Sequence, residues 1–89
     1  MRQKEGFVLR EVCGENVIMG EGLAAIGFGK LMALNATAAW LWKQAKEMGE
    51  FTIETLAERL SVEYEVTAVQ AHEDVTRLVG EWQKAGVVE

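Results

Sequence analysis

Few side chains in this sequence are suited to chemistry: one thiol, Cys13, one imidazole, His72, and the carboxylates of Glu73 and Asp74 beside it. A thiol with an imidazole pairs a nucleophile with its base, but that chemistry also needs a group to orient the base and donors for an oxyanion, and the sequence suggests neither. Metal binding has no better support. Consecutive positions on a helix do not face one another, so His72, Glu73 and Asp74 do not converge on one ion, and Cys13 is the only other soft ligand. Gly29 followed by Lys30 resembles the end of a phosphate-binding loop, yet the earlier glycine of such a loop would fall at Ala24 and its hydroxyl residue at Leu31. The sequence therefore predicts no catalytic residue, no metal and no cofactor. Cys13 reads as a small strand hydrophobe.

The chain that carries these residues has room for one core. Its 89 residues form a single expected domain, 1–89, because a chain of this size buries only about 60% to 70% of its unfolded surface. With 49% hydrophobic and 26% charged residues and no proline, the composition is that of a folded unit rather than a disordered tail. The longest apolar run, Ala38 to Trp42, is far short of the ~20 residues that span a bilayer. The first residues, Met1 to Glu5, lack the apolar core of a secretion signal. A cytoplasmic location without membrane contact is expected, and the lone cysteine agrees with a reducing compartment. The net charge of −5 opposes nucleic acid as a partner, since cationic side chains supply most affinity for phosphates.

Strand-forming residues run from Phe7 to Cys13 and again from Val17 to Met19. Gly14 and Glu15 between them suit a two-residue type II′ hairpin loop. That register sets Val12 opposite Val17 and Arg10 opposite Met19, with Val8, Val12, Val17 and Met19 on one face and Phe7, Leu9 and Ile18 on the other. From Gly20 to Lys30 four glycines and small apolar residues read as a loop. Leu31 to Leu34 form a third strand.

Three helices follow. Asn35 is suited to cap the first, in which Ala38, Leu41, Trp42, Ala45 and Met48 recur at helical spacing, and Gly49 stops it. Thr52 caps the second, whose buried side is Ile53, Leu56, Ala57 and Leu60. Thr67 with Gln70 forms an expected capping box for the third, which Gly86 closes. The fold class expected is α+β: a small winged helix-turn-helix-like domain, a three-stranded antiparallel sheet followed by three helices.

Four pieces of sequence, in order and over almost the whole chain, carry a resemblance. They are Phe7 to Glu15 (FVLREVCGE), Leu34 to Trp42 (LNATAAWLW), Ile53 to Leu60 (IETLAERL) with Tyr64 to Val66 (YEV), and Asp74 with Val75. Together they resemble the PqqD-like family, which includes coenzyme PQQ synthesis protein D and the precursor-peptide recognition elements. The resemblance implies three strands packed on three helices and no catalytic residues. It also implies a function: binding the leader segment of a ribosomally made peptide and handing its core to a modifying enzyme, often a radical SAM enzyme. The leader would pair with the edge of the third strand and lie against the third helix.

On the third helix, Ala68, Ala71, Val75, Leu78 and Trp82 make the expected core stripe. One flank is polar, with Gln70, Asp74 and Glu81, whereas the other carries Val69, His72, Thr76 and Val79. Two readings account for this widened apolar arc: a wall of a peptide groove, or packing of Val69 and Val79 against another helix. The third strand has no blunting charge or proline between Leu31 and Leu34, with only Lys30 in front. That openness suits either strand addition by a peptide or cover by another subunit or the chain's own tail. The expected peptide site is thus Lys30, Leu31, Met32, Ala33, Val69, His72, Thr76 and Val79. Trp40 and Trp42 lie two apart and so point to different sides. Trp42 fits the buried stripe, and Trp40 either packs over the fold or meets a partner enzyme.

Charge separates peptide-binding from DNA-binding versions of this fold, because a recognition helix should be basic and the third helix carries Glu73, Asp74 and Glu81 against Arg77 and Lys84. The leading function is an adaptor for a leader peptide. The alternative is a protein-interaction or homodimerisation subunit using the same edge, and an enzyme is a distant third.

Overall fold

The computed structural model describes residues 1–22 and 32–89. The glycine-rich loop expected up to Lys30 therefore lies, from Leu23 onward and with Leu31, outside the described residues. The order is β1 (Phe7–Val12), β2 (Glu15–Gly20), β3 (Met32–Leu34), α1 (Ala36–Met48), α2 (Ile53–Tyr64) and α3 (Ala68–Ala85). The strands form one antiparallel sheet in the order β1-β2-β3. This is the α+β class expected.

The hairpin turns one residue earlier than its glycine suggested. Val12 pairs with Glu15, so the loop is Cys13 and Gly14, with φ of 52° and 81°. Two positive φ values belong to a type I′ turn, whose twist matches that of the flanking strands. Core pairing gives the reason for the shift. The observed register sets Leu9 opposite Ile18, whereas the expected one would have set Leu9 against Gly20 and Ile18 against Glu11. Cys13 pays for this with a left-handed backbone costing about 1 kcal/mol. Because the pairing moved by two residues, the faces are unchanged. Phe7, Leu9, Ile18, Met32 and Leu34 share the inner face, on which Ile18 is fully buried.

The helices start where short polar side chains replace missing backbone partners. Asn35 accepts from the Ala38 N–H at 2.8 Å, and Thr52 accepts from the Thr55 N–H at 3.0 Å. The Thr55 hydroxyl in turn accepts from the Thr52 N–H at 2.9 Å, closing a capping box that the sequence reading did not include. At α3 only half of the expected box forms. Thr67 accepts from the Gln70 N–H, but the Gln70 side chain donates to Asp74 at 2.9 Å instead of reaching back. Gly49 and Gly86 end α1 and α3 at positive φ.

The helices bury one apolar stripe each: Ala38, Leu41, Trp42 and Ala45 from α1, Leu56, Ala57 and Leu60 from α2, and Ala71, Val75, Val79 and Trp82 from α3. Trp42, Phe51 and Trp82 are the largest buried side chains, and Trp82 stands edge-on to both others. Residues at the start of the chain are stitched between two distant segments. Phe51 N–H donates to the Met1 carbonyl, and Arg2 and Glu89 exchange two backbone hydrogen bonds at 2.8 Å each.

Candidate functional site

β3 stands at the end of the sheet, and among the described residues the backbone groups on its outer side join no ladder. β3 pairs only with β2 among the described residues, through Asn16 with Leu34, Val17 with Ala33 and Ile18 with Met32. Leu34 anchors the strand in the core, Met32 packs partly against it, and Ala33 faces outward, exposed. Neither a charge nor a proline guards these three positions.

Directly after β3 the chain turns into α1 at Asn35, and here a groove of about 340 Å³ opens toward α3. Leu78 is half-buried on its floor, over the buried Ala38, Leu41 and Leu60, and most of the surface the groove presents is polar, from Asn35, Thr37, Asp74, Arg77 and Glu81. Asp74 is fixed in place, since its carboxylate accepts from Gln70 Nε2 at 2.9 Å and from Arg77 at 3.1 Å. A strand edge with no partner among the described residues, ending at a groove where Leu78 sits among hydrogen-bonding side chains, suits an extended peptide. The backbone can join the sheet while side chains enter the groove.

The residues expected at the site divide. Lys30 and Leu31 lie outside the described residues, and Met32 and Ala33 are on the edge strand. Val69, His72 and Thr76 are exposed on α3, Val69 at 70%. The Thr76 hydroxyl is turned back on its own helix, donating to the His72 carbonyl at 2.7 Å. Val79 is 1% exposed and belongs to the core with Val75 and Trp82, so it presents no surface to a peptide. Ala68, expected in the core stripe, is exposed, and Leu78 is half-buried.

The groove beside the end of β3 is thus lined by the flank of α3 that holds Asp74, Leu78 and Glu81, not by the flank of Val69, His72 and Thr76. Helical spacing separates two flanks of a stripe but does not say which one the sheet lies beside. The sequence reading did not place Leu78, Asp74, Glu81, Asn35, Thr37 or Leu41 at the expected peptide site, and these line the groove. One signal was available: Asn35 both ends β3 and caps α1, so side chains near the first turn of α1 must lie near the strand's end.

Trp40 is half-buried, its ring edge-on to that of Tyr64 at 5.4 Å between centroids. Cys13 is exposed at the hairpin tip, and His72 on α3 has Thr76 as its neighbour. No group of three or more His, Cys, Asp or Glu able to hold a metal occurs among the described residues, nor does any helix there long and apolar enough to cross a membrane.

Comparison with known proteins adds to this geometry. The chain is similar in structure to TbiB1 in complex with the TbiA(beta) leader peptide, with a TM-score of 0.79 and 17% identity over 100% of this chain and 95% of that one. It is also similar to lasso peptide synthetase B1 complexed with the leader peptide, with a TM-score of 0.76 and 22% identity over 99% and 95% of the two chains. At these identities the likeness is one of fold. No curated protein matches the sequence. The family model for coenzyme PQQ synthesis protein D (PqqD) matches residues 15–88. From β2 through α3 to the last buried valines, the sequence follows that pattern, and the chain belongs to the PqqD family.

Proposed function

We propose that the chain binds the leader segment of a ribosomally made precursor peptide by strand addition to β3, and presents the peptide to a modifying enzyme without itself catalysing a reaction. The observation that carries this reading is an unguarded edge strand, Met32–Leu34, running straight into the groove between α1 and α3. The fold shared with two leader-peptide complexes supports it. The backbone of the leader would hydrogen-bond along β3, and an apolar side chain would settle against Leu78, between Thr37 and Glu81. A radical SAM enzyme or another peptide-modifying enzyme is the natural recipient.

The test is a titration of the full chain with a fluorescent synthetic leader, its sequence taken from a short peptide gene beside this one. Saturable binding with backbone amide shifts along β3 and the facing flank of α3 supports the proposal. A homodimer held by the β3 edges, with no leader binding at high micromolar concentrations, would replace it by the alternative of an interaction or dimerisation subunit.

A further inference from the structure

A second groove, of about 460 Å³, lies between α1 and α2, and none of its lining residues belongs to β3 or α3. Trp40, Gln44 and Met48 supply the α1 wall at a spacing of four, which makes them one helical stripe. Val62 opposite them is 76% exposed, and Tyr64, 44% exposed, braces the Trp40 ring at an interplanar angle of 84°. Of the large hydrophobic side chains exposed among the described residues, Val62 thus lines this groove and Tyr64 packs on the Trp40 ring that lines it. Two rings already held against each other have little freedom left to lose when a partner arrives.

The charges around this floor are unbalanced. Arg59 is the one cation among the lining residues, and it is taken up internally, by Gln44 Oε1 at 2.7 Å and Glu47 Oε1 at 3.6 Å. The carboxylates of Glu58 and Glu63 on the same rim have no hydrogen-bond or ion-pair partner among the described residues. An apolar floor beside unpaired carboxylates is the complement of a segment that carries an apolar side chain between lysines or arginines. It would repel an acidic one.

We infer that this groove is a second docking surface, for a protein partner that inserts an apolar side chain against Trp40 and Val62 and lays flanking basic residues on Glu58 and Glu63. Its identification with the modifying enzyme rests on the leader-peptide reading, whereas the surface itself does not. With the peptide on β3 and α3 and the enzyme on α1 and α2, one small domain holds both at once.

The experiment titrates the ¹⁵N-labelled full chain with a synthetic peptide of about twelve residues alternating Lys or Arg with Leu, and with its counterpart in which Glu replaces every basic residue. Saturable shifts centred on the Trp40 indole N–H, Val62, Glu58 and Glu63, seen with the basic peptide alone, are expected. Affinity should fall at least about fivefold in the surface variant Glu58→Lys with Glu63→Lys, which disturbs no packed side chain, and in Trp40→Ala. Leu78→Ala should leave it unchanged. Shifts centred on β3 and α3 or scattered over the surface, equal binding of the acidic peptide, no binding at all, or full affinity in the double variant would each overturn the inference. Leader binding measured on the same double variant separates the two sites. Loss of leader binding by the parent chain with these shifts intact would remove the adaptor reading and leave this one standing.

Discussion

The indole rings of Trp42 and Trp82 meet at right angles, with centroids 5.1 Å apart and an interplanar angle of 89°, and both are almost completely buried. Through this contact α1, which packs on the sheet, is tied to α3, which walls the candidate groove. The Trp82 indole N–H is buried with no hydrogen-bond partner among the described residues, and its ring packs edge-on to those of Trp42 and Phe51. Replacing Trp82 by Ala should therefore cost about 3–5 kcal/mol, from lost burial and the cavity left behind. Chemical denaturation should show the midpoint falling with little change in slope. A loss below about 1 kcal/mol would mean that the three-ring cluster does not organise the core.

Val79 and Val69 sit on the same helix with opposite fates, one 1% and the other 70% exposed. Val79→Asp buries a charge without a partner, a penalty of several kcal/mol, and the expected outcome is loss of the cooperative unfolding transition. Val69→Asp should change stability by no more than about 0.5 kcal/mol. Circular dichroism of the two variants checks the assignment directly.

Leader binding should depend on the flank of α3 that faces the end of β3. Backbone bonds to an edge strand contribute about 1 kcal/mol each against an association cost of at least ~4 kcal/mol, so apolar burial in the groove must supply most of the rest. Leu78→Ala is expected to weaken the leader about fivefold or more, while Thr76→Ala on the opposite flank changes it less than about twofold. Fluorescence anisotropy with the synthetic leader measures both. The reverse order would move the site to the flank of His72 and Thr76.

Cys13 holds φ at 52° in the hairpin loop, a conformation that asparagine tolerates better than cysteine. Cys13→Asn creates the Asn-Gly pair favoured in such turns and should stabilise the fold by about 0.5–1 kcal/mol. It also removes an exposed thiol. A thermal melt lower than that of the parent would show that the turn does not limit stability.

Duplex DNA should bind no more tightly than a Kd of about 10⁻⁴ M at physiological salt, since α3 offers Glu73, Asp74 and Glu81 against Arg77 and Lys84. A salt-sensitive micromolar gel shift would contradict this.

Much of the fold was legible in the sequence because it is specified locally. Asn35, Thr52 and Thr67 accept from backbone N–H groups three residues on, and Gly49 and Gly86 end their helices, all within one turn of chain. The alternation of Phe7, Leu9 and Ile18 survived even a misplaced turn, because a shift by two residues keeps side chains on their faces. The family, too, was readable from four short strings in order. Other features join residues far apart in the chain. The opposition of Leu9 to Ile18 chose the turn, and the bonds of Arg2 to Glu89 close the ends on each other across nearly the whole sequence.

The site shows the same division. That β3 would carry no blunting charge or proline followed from the residue types of Met32, Ala33 and Leu34, but the flank of α3 beside it did not. An amphipathic helix fixes how far its apolar arc extends and leaves open the direction in which it crosses its neighbours. The packing of α3 in the tertiary core, with Trp82 against Trp42 and Phe51, sets that crossing. It turns Val79 into the core, leaves Val69 in solvent and brings Leu78 and Asp74 to the groove that begins at Asn35.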